Sequence, residues 1–526
     1  MGNSPAPMNY DVVIIGGSLS GAASATLLLR ERPDLKILIV ERAAAFGRRV
    51  GEATVEISGY FLGRVLGLTQ HLNDQHLVKQ GMRFWFANER TDGLGNSSEI
   101  GPKYNVRLPA WQLDRSVVDE EVLRRAVAAG AELRRPVQVT GVQLSPGGLQ
   151  TVTLRDGAAT EEISCRWLID ASGVAALLAR QEGWLEPNTD HPTASAWARW
   201  RGVKDWDSRE LAQEHPAVAD RCFGTRNTAT NHVIGDGWWS WWIPLKGGDV
   251  SVGVVFDQRL VDFPQEGKLG DRLKEFLCQH PVGREMLQDA ECIEGDTHWR
   301  KNLAYSSRTF AGDGFALVGD AAAFLDPLYS PGMDWISFTT TASVALIVAE
   351  RGGEAVAPLV ERHNADFVRS YRRWFEAIYQ DKYDYLGEYD LMRIAFRLDL
   401  GLYYLGIVSQ PFKFGPQTLR IPPFSPAVST PIFHFIRLYN RRMAAIARER
   451  RRRRTLGAEN TGRNYLFPSF SLSPSDVKLV AYAALRWLQL ELREGWRSWF
   501  APARPEARQA RRTPVRALTP HPQPVA

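Results

Sequence analysis

Tyr10-Asp-Val-Val-Ile-Ile15-Gly16-Gly17-Ser18-Leu19-Ser20-Gly21, running on through Ala22-Ala-Ser-Ala-Thr-Leu-Leu-Leu-Arg30 to Lys36-Ile-Leu-Ile-Val40-Glu41, decides the fold. Val12–Ile15 and Ile37–Val40 are continuous apolar runs, which suits strands buried on both faces of a parallel sheet. Between them Ala22–Arg30 carries small and aliphatic residues over a helical length, and Gly16-Gly17 ends the first strand. Strand, glycine turn, helix and strand within about thirty residues make a βαβ unit. Its turn reads G-G-S-L-S-G where a dinucleotide-binding unit has G-x-G-x-x-G, so Ser18 replaces the middle glycine. Such a turn lets a pyrophosphate approach the backbone at a helix N-terminus, where free N–H groups and the dipole favour negative charge. Gly16, Ser18 and Gly21 are therefore candidate cofactor contacts, and Glu41 is placed to accept from ribose hydroxyls. One such turn leaves room for one dinucleotide and no separate nicotinamide site.

Working outward, Leu123–Gly130 reads as a helix leading to strands near 133–139, 150–154 and 167–170. From Ser195 to Phe256 the pattern is aromatic and β-rich, as an antiparallel substrate-side sheet would be. Phe315–Asp320 returns to a buried strand, Trp335–Glu350 is a long helix, and 358–500 is mostly helical in pattern. The expected class is α/β: a Rossmann-like parallel sheet, an inserted antiparallel sheet and a helical C-terminal region. The expected division is a core over 1–357 with its β-rich part about 190–300, a helical region over 358–500, and a disordered Pro- and Arg-rich tail over 501–526. The 526 residues are 44% hydrophobic and 23% charged, which excludes wholesale disorder and a multispan membrane protein. A net charge of +5 is small for this length, so nucleic acid is not an expected partner. Four cysteines lie far apart without metal or disulfide spacing, which points to no metal site and a reducing compartment. The first ten residues have no apolar core of a secretory signal, so a cytoplasmic location is expected. Seventeen tryptophans imply a large aromatic interior.

Three further stretches resemble the flavin-dependent halogenases, built on the para-hydroxybenzoate-hydroxylase-like FAD fold. Gly319-Asp320-Ala-Ala-Ala-Phe324-Leu-Asp-Pro327-Leu-Tyr-Ser330-Pro-Gly332 is similar to the family's second FAD motif followed by F-x-x-P-x-x-S-x-G. Trp239-Ser-Trp241-Trp-Ile243-Pro244 is similar to W-x-W-x-I-P, and Gly51-Glu52-Ala-Thr54 to the G-E-[ST] segment. The resemblance covers about residues 10–400. It implies that FAD is bound by Asp320, Pro327, Gly332, Glu52 and Arg115, with Arg48 and Arg49 upstream. It further implies that Ser330, Gly332 and Met333 face halide and flavin, and that Trp239 and Trp241 keep substrate away from the flavin.

Relatives acting on pyrroles and phenols place a lysine after the helix that follows G-E-[ST], and Leu77-Val78-Lys79-Gln80-Gly81 fits that position. By this resemblance Lys79 takes hypohalous acid made at the flavin and delivers halogen to the substrate, with Lys103 and Lys246 as alternatives. No counterpart of the tryptophan halogenases' extra glutamate is evident, so a free-tryptophan substrate fits less well. The implied function is halogenation of an electron-rich, phenol- or pyrrole-like natural-product aromatic, free or carrier-tethered. Its needs are reduced FAD from a separate flavin reductase, O2 and a halide ion. The alternatives are a monooxygenase or reductase of the same superfamily, or a non-catalytic FAD-binding scaffold.

Pro331 departs from the family's Ser or Thr and removes one N–H from the halide segment, which predicts weak halide binding and a preference for bromide. The aromatic residues between Tyr371 and Tyr385 read chiefly as core, with some roofing a substrate cavity. Arg448–Arg454 reads as a solvated charge run. Val477–Phe500 is amphipathic and too charged to span a bilayer, and packing on the body is expected over peripheral membrane contact.

Overall fold

The computed structural model describes residues 9–86 and 90–499, so the tail expected over 501–526 lies outside the described residues. In chain order, β1 (Tyr10–Ile15), α1 (Leu19–Glu31) and β2 (Ile37–Val40) form the βαβ unit. β3 (Met82–Phe86) and β4 (Ser98–Pro102) cross to a second sheet. α2 (Arg115–Ala128) and β5 (Glu132–Arg134) return to the first, which is completed by β6 (Ala159–Asp170). β7 (Thr193–Arg201), β8 (Thr230–Gly235), β9 (Trp238–Pro244), β10 (Val250–Asp257) and β11 (Glu291–Lys301) build the second sheet. β12 (Phe315–Leu317) and α3 (Gly332–Arg351) lie on the nucleotide side. The helical region comprises α4 (Val356–Trp374), α5 (Tyr389–Tyr403), α6 (Thr430–Arg452), β13 (Asn464–Phe467) and α7 (Ser475–Arg493).

The first sheet has a parallel core in the order β12–β6–β1–β2–β5. Val13 is level with Leu38 on one side and Leu168 on the other, and all three are fully buried. That burial explains their unbroken apolar pattern. The turn into α1 requires its glycines: Gly16 has φ +97°, and a Cβ on Gly21 would lie 1.9 Å from the Gly16 carbonyl oxygen. α3 is long and apolar enough to cross a membrane by length and composition, but 67% of its apolar window is buried against the protein, where it packs on α1.

The second sheet runs β11–β7–β10–β9–β8–β3–β4–β13, antiparallel except at the β8–β3 and β4–β13 joints. It is wider than the 190–300 stretch, because β3, β4 and β13 continue it beyond β8, whose edge would otherwise present unpaired N–H and C=O groups. All seven residues of β9 are buried. Trp239, Trp241 and Ile243 face the main core, while Trp238 and Trp242 face a second cluster with Trp85, Trp200 and Trp206. The alternation follows from the two-residue period of a strand, and burial of both faces accounts for much of the tryptophan content.

Four local readings differ from the structure. The helix expected from Leu123 starts at Arg115, because the Asp114 carboxylate accepts from the Ser116 N–H at 2.9 Å and caps it there. The strand expected over 133–139 is interrupted at Pro136, which has no N–H for a ladder. Residues 202–229, inside the expected β-rich run, carry two short helices, Arg209–Glu214 and Pro216–Ala219. Arg448–Arg454 is solvated only at Arg452, Arg453 and Arg454, which are exposed, and its first half is paired. Arg450 is buried between Glu388 (2.8 Å), Asp390 (2.6 Å) and Glu494 (2.5 Å), while Arg448 pairs with Asp384 and Arg451 with Asp236.

Candidate active site

The chain following β12 bends through Gly319-Asp320 and Asp326-Pro327 to the segment that starts α3. Tyr329 (φ +70°) and Ser330 (φ +58°) are consecutive left-handed residues, a conformation that costs non-glycine residues about 1–3 kcal/mol each and marks a constrained loop. The loop is held by the Ser330 N–H donating to the Pro327 carbonyl (3.0 Å) and the Tyr329 hydroxyl donating to Asp399 (3.1 Å). Pro331 caps α3, and Pro331 itself lies in the walls of two cavities.

The smaller cavity, about 200 Å³, brings together Glu52, Arg115, Trp239, Trp241, Asp320, Pro327, Ser330, Gly332 and Met333. Residues separated by some 280 positions thus share one wall, with the W-x-W pair presented from one face of β9. Burial pushes the Glu52 carboxyl up, opposed by Arg199, whose Nε donates to it at 2.8 Å, and Glu52 Oε2 has no hydrogen-bond partner. Burial likewise raises Asp320. Gly332 and Met333 open α3, where first-turn N–H groups lack intrahelical partners.

The Gly16–Gly21 turn lies outside this cavity but abuts it, since a Cβ on Gly319 would sit 3.5 Å from the Ser20 Cβ. Glu41 is buried; its oxygens accept from the Gly17 and Ala43 N–H groups, both at 2.8 Å, and keep lone pairs for a further donor. Ser18 takes the N-cap of α1 without a side-chain cap bond. The tight glycine cradle, the adjoining half-buried Asp320 and the unpartnered Glu52 oxygen suit a dinucleotide with a polar tail. Arg48 and Arg49 are not part of the cavity wall: Arg48 pairs with Asp114 (3.0 Å) and Asp249 (2.5 Å), and Arg49 with Asp119 (3.7 Å).

The larger cavity, about 430 Å³, is roofed by the helical region and includes Val55, Glu56, Tyr329, Asp334, Trp374, Tyr379, Asp399 and Tyr403. α4 and α5 both widen into single π turns here, Phe375–Tyr379 and Tyr404–Val408, a distortion common at functional sites. Of the aromatic series, Trp374 and Tyr379 line this cavity, whereas Tyr371, Phe375, Tyr383 and Tyr385 are packed in the core.

Lys79 lies in the partition between the two spaces. Its side chain is buried, and Nζ donates to the Thr54 carbonyl at 2.8 Å. Thr54 is flanked by Ala53 on the smaller cavity and Val55 on the larger. Burial pulls the ammonium down to about 8 against the pull of Glu56 and Asp334, both on the larger cavity. His232, on the smaller cavity, feels the Lys79 charge as well, though burial is the main reason its pKa falls to about 3. Lys79 borders neither cavity directly, so Nζ must leave the Thr54 carbonyl to reach either. Lys103 stacks on Phe223 at 5.1 Å and Lys246 is exposed, bonded to the Asp74 carbonyl; neither shares these walls.

Several groups at the site are invisible to motif reading. Burial raises Asp334 to about 7, and its oxygens accept from the Ser58 N–H (2.9 Å) and Tyr403 hydroxyl (2.7 Å). Glu56, also raised by burial, accepts from the Tyr404 hydroxyl at 2.5 Å. The Trp239 indole N–H donates to Tyr383 (2.8 Å), whose hydroxyl donates to Asp326 (3.0 Å), which also bonds His191 (2.8 Å). That chain fixes the plane of Trp239. Its only sequence signal is the Asp within F-L-D-P, and its partners come from three other elements.

A protein-family model described as "Tryptophan halogenase" matches residues 11–104 and 94–381. The Dictyostelium discoideum protein "Flavin-dependent halogenase chlA" is 26% identical over 365 residues, 62% of this chain and 58% of that protein. The chain therefore spans less than two thirds of that relative's length. The "1H-pyrrole-2-carbonyl-[peptidyl-carrier protein] chlorinase" of Pseudomonas fluorescens is 28% identical over 393 residues, covering 70% of this chain and 83% of it. Among solved structures, halogenase PltM in complex with phloroglucinol and FAD superposes with a TM-score of 0.71 at 21% identity, covering 93% of this chain and 99% of that one. This likeness establishes the shared fold.

Proposed function

This chain belongs to the tryptophan-halogenase family of flavin-dependent halogenases, and from that premise we propose that it halogenates an electron-rich, phenol- or pyrrole-like aromatic with reduced FAD, O2 and halide. The observation that carries the reading is Lys79, a buried amine in the partition between the smaller cavity, which holds Glu52, Asp320 and the W-x-W pair, and the larger aromatic one. The Gly16–Gly21 turn, Glu41, Glu52, Arg115 and Asp320 would hold FAD, which when reduced would supply the oxidising equivalent from O2 needed to convert halide to hypohalous acid. The first-turn amides of Gly332 and Met333 hold the halide, while Trp239 and Trp241 keep the aromatic substrate out of the smaller cavity. Lys79 takes the halogen from hypohalous acid and passes it to a ring carbon; water is released and the ring loses one proton. Asp334, near neutrality in pKa and on the larger cavity, accepts that proton and returns it to the Lys79 nitrogen, which restores the amine. The apolar and aromatic lining suits a flat aromatic substrate, and the relative named as acting on a carrier-bound pyrrole supports a tethered one as well.

The test supplies FAD, a flavin reductase, NADH, O2 and bromide with an activated phenol and reads the product by mass spectrometry. Brominated phenol supports the proposal; hydroxylated phenol would assign a monooxygenase, and unchanged phenol would refute both. Because one dinucleotide turn is present, the purified protein is expected to bind FAD yet not oxidise NADH until a reductase is added. Rapid bleaching of its flavin by NADH alone would contradict this.

Pro331, at the cap of α3, offers the halide no N–H. One missing charge-assisted donor corresponds to roughly 1.5–3 kcal/mol, or about ten- to a hundredfold in affinity. Pro331→Ser is therefore expected to lower the half-saturating halide concentration at least about tenfold, and wild type to prefer bromide to chloride. Titrating product formation with each halide checks both; wild-type saturation by micromolar chloride, unchanged in the variant, would remove Pro331 from the account.

A further inference from the structure

α7 packs on α5 and α6 through Ala483, Trp487 and Leu490, yet it leaves a second apolar stripe uncovered. Val477, Leu485, Leu488 and Leu492 are all exposed, Leu492 at 77%. At about 100° per residue these four, with Ala481 between them, fall within a sector about 80° wide, on the side away from the buried face. The following turn, Gly495–Ser498, carries the stripe on through Trp496 and Trp499, both at least half exposed. Lys478, Arg486 and Arg493 are exposed along one border of the stripe, and the Arg497 guanidinium lies 5.2 Å above the Trp496 ring.

Charge decides the occupant. Between residues 475 and 499 no exposed carboxylate is present: Asp476 and Glu491 are buried, and Glu494 is half-buried against Arg450. The outward face of this helix therefore presents aliphatic and aromatic residues, Gln489 and cations, without an exposed carboxylate. The chain beyond it adds Arg504, Arg508, Arg511, Arg512 and Arg516 against a single Glu506. An acidic protein would match the cations but not a continuous row of leucines ending in two exposed indoles. Leucines that enter the acyl boundary, tryptophans at the headgroup level and flanking arginines suit an interfacial helix on an anionic bilayer. We infer that the α7 face, from Val477 to Trp499, docks this protein on anionic phospholipid membrane, with the helix in the plane of the surface. The docking is peripheral and independent of the halogenation chemistry.

The test sediments the full-length protein with phosphatidylcholine vesicles containing, or lacking, one quarter phosphatidylglycerol. Binding is expected to the anionic vesicles only, to weaken with added salt, and to fall at least tenfold for the combined variant Leu485→Ser, Leu488→Ser, Leu492→Ser. These side chains are exposed, so the variant should keep the wild-type melting temperature and FAD affinity; if it does not, Trp496→Ser with Trp499→Ser serves instead. Absence of binding to anionic vesicles, or binding unchanged by both variants, overturns the proposal. So does a leucine variant that turns a dimer into a monomer without changing sedimentation, which gives the face to a second copy. Vesicle binding only after removal of residues 500–526 would show that this segment covers the stripe, and would equally overturn it.

Discussion

Replacing Lys79 by alanine is expected to lower formation of halogenated product at least about a hundredfold while hypohalous acid continues to form at the flavin. The amine acts after the flavin, so a small-molecule trap for hypohalous acid should report a near-normal rate as the aromatic product disappears. The pH profile gives a second reading of the same group. Burial holds Lys79 at about 8 against an ordinary 10.5, so its nucleophilic free amine accumulates from pH 7 to 9. Wild-type halogenation should rise across that interval, and the residual activity of Lys79→Ala should not. Stability should rise with pH as activity does, over a somewhat higher interval. A lysine whose folded pKa lies below its unfolded value destabilises the fold in full below pH 8, and the penalty vanishes as pH rises towards 10.5. A shift of this size corresponds to about 3 kcal/mol, so Lys79→Met should melt higher than wild type at pH 7, with little difference near pH 10.5. A variant that kept near-normal turnover would remove Lys79 from the mechanism and turn attention to the carboxylates beside it.

Arg450→Ala is expected to destabilise the protein by about 3–5 kcal/mol, because it strands buried carboxylates without their common partner. Urea unfolding measures this directly; a loss below about 1 kcal/mol would mean that Glu388, Asp390 and Glu494 escape to water. Three carboxylates around one guanidinium are not all equally ionised. Burial raises Glu388 to about 7, whereas Arg450 outweighs burial at Asp390 and Glu494 and holds both below their ordinary values. Glu388 therefore stabilises the fold fully below about pH 4.5, and its contribution is lost as pH rises through 7. Asp390 and Glu494 contribute above the ordinary carboxylate range and lose their contribution on acidification. The cluster as a whole should be most favourable in mildly acid solution, and Glu388→Gln should flatten the alkaline side of that profile. The clasp matters to the site, since Glu388 and Asp390 begin the helix that carries Asp399 and Tyr403 into the larger cavity.

What the sequence by itself determined is local and periodic. β1, the Gly16–Gly21 turn, α1 and β2 were legible because strand burial, a glycine-dependent close approach and helical composition all act within thirty neighbouring residues. Trp239 and Trp241 had to share a face, since two positions apart on a strand leaves no other arrangement. The joining of Glu52, Asp320 and Ser330 in one cavity could be anticipated only through resemblance, because nothing in their spacing brings them together. Only the tertiary structure decided the chemical state of the site. Lys79 sits low in pKa because the folded chain buries it, which outweighs the opposing pull of Glu56 and Asp334, and desolvation depends on what covers a group, not on its neighbours in sequence. The same physics corrects half of the reading of Arg448–Arg454: Arg448, Arg450 and Arg451 look solvated until distant carboxylates at 236, 384, 388, 390 and 494 pair with them, while Arg452, Arg453 and Arg454 stay exposed. The stripe on α7 follows the same division, since its amphipathic period is written in the sequence, but which apolar face meets the body and which remains uncovered is set by the helices that pack against it.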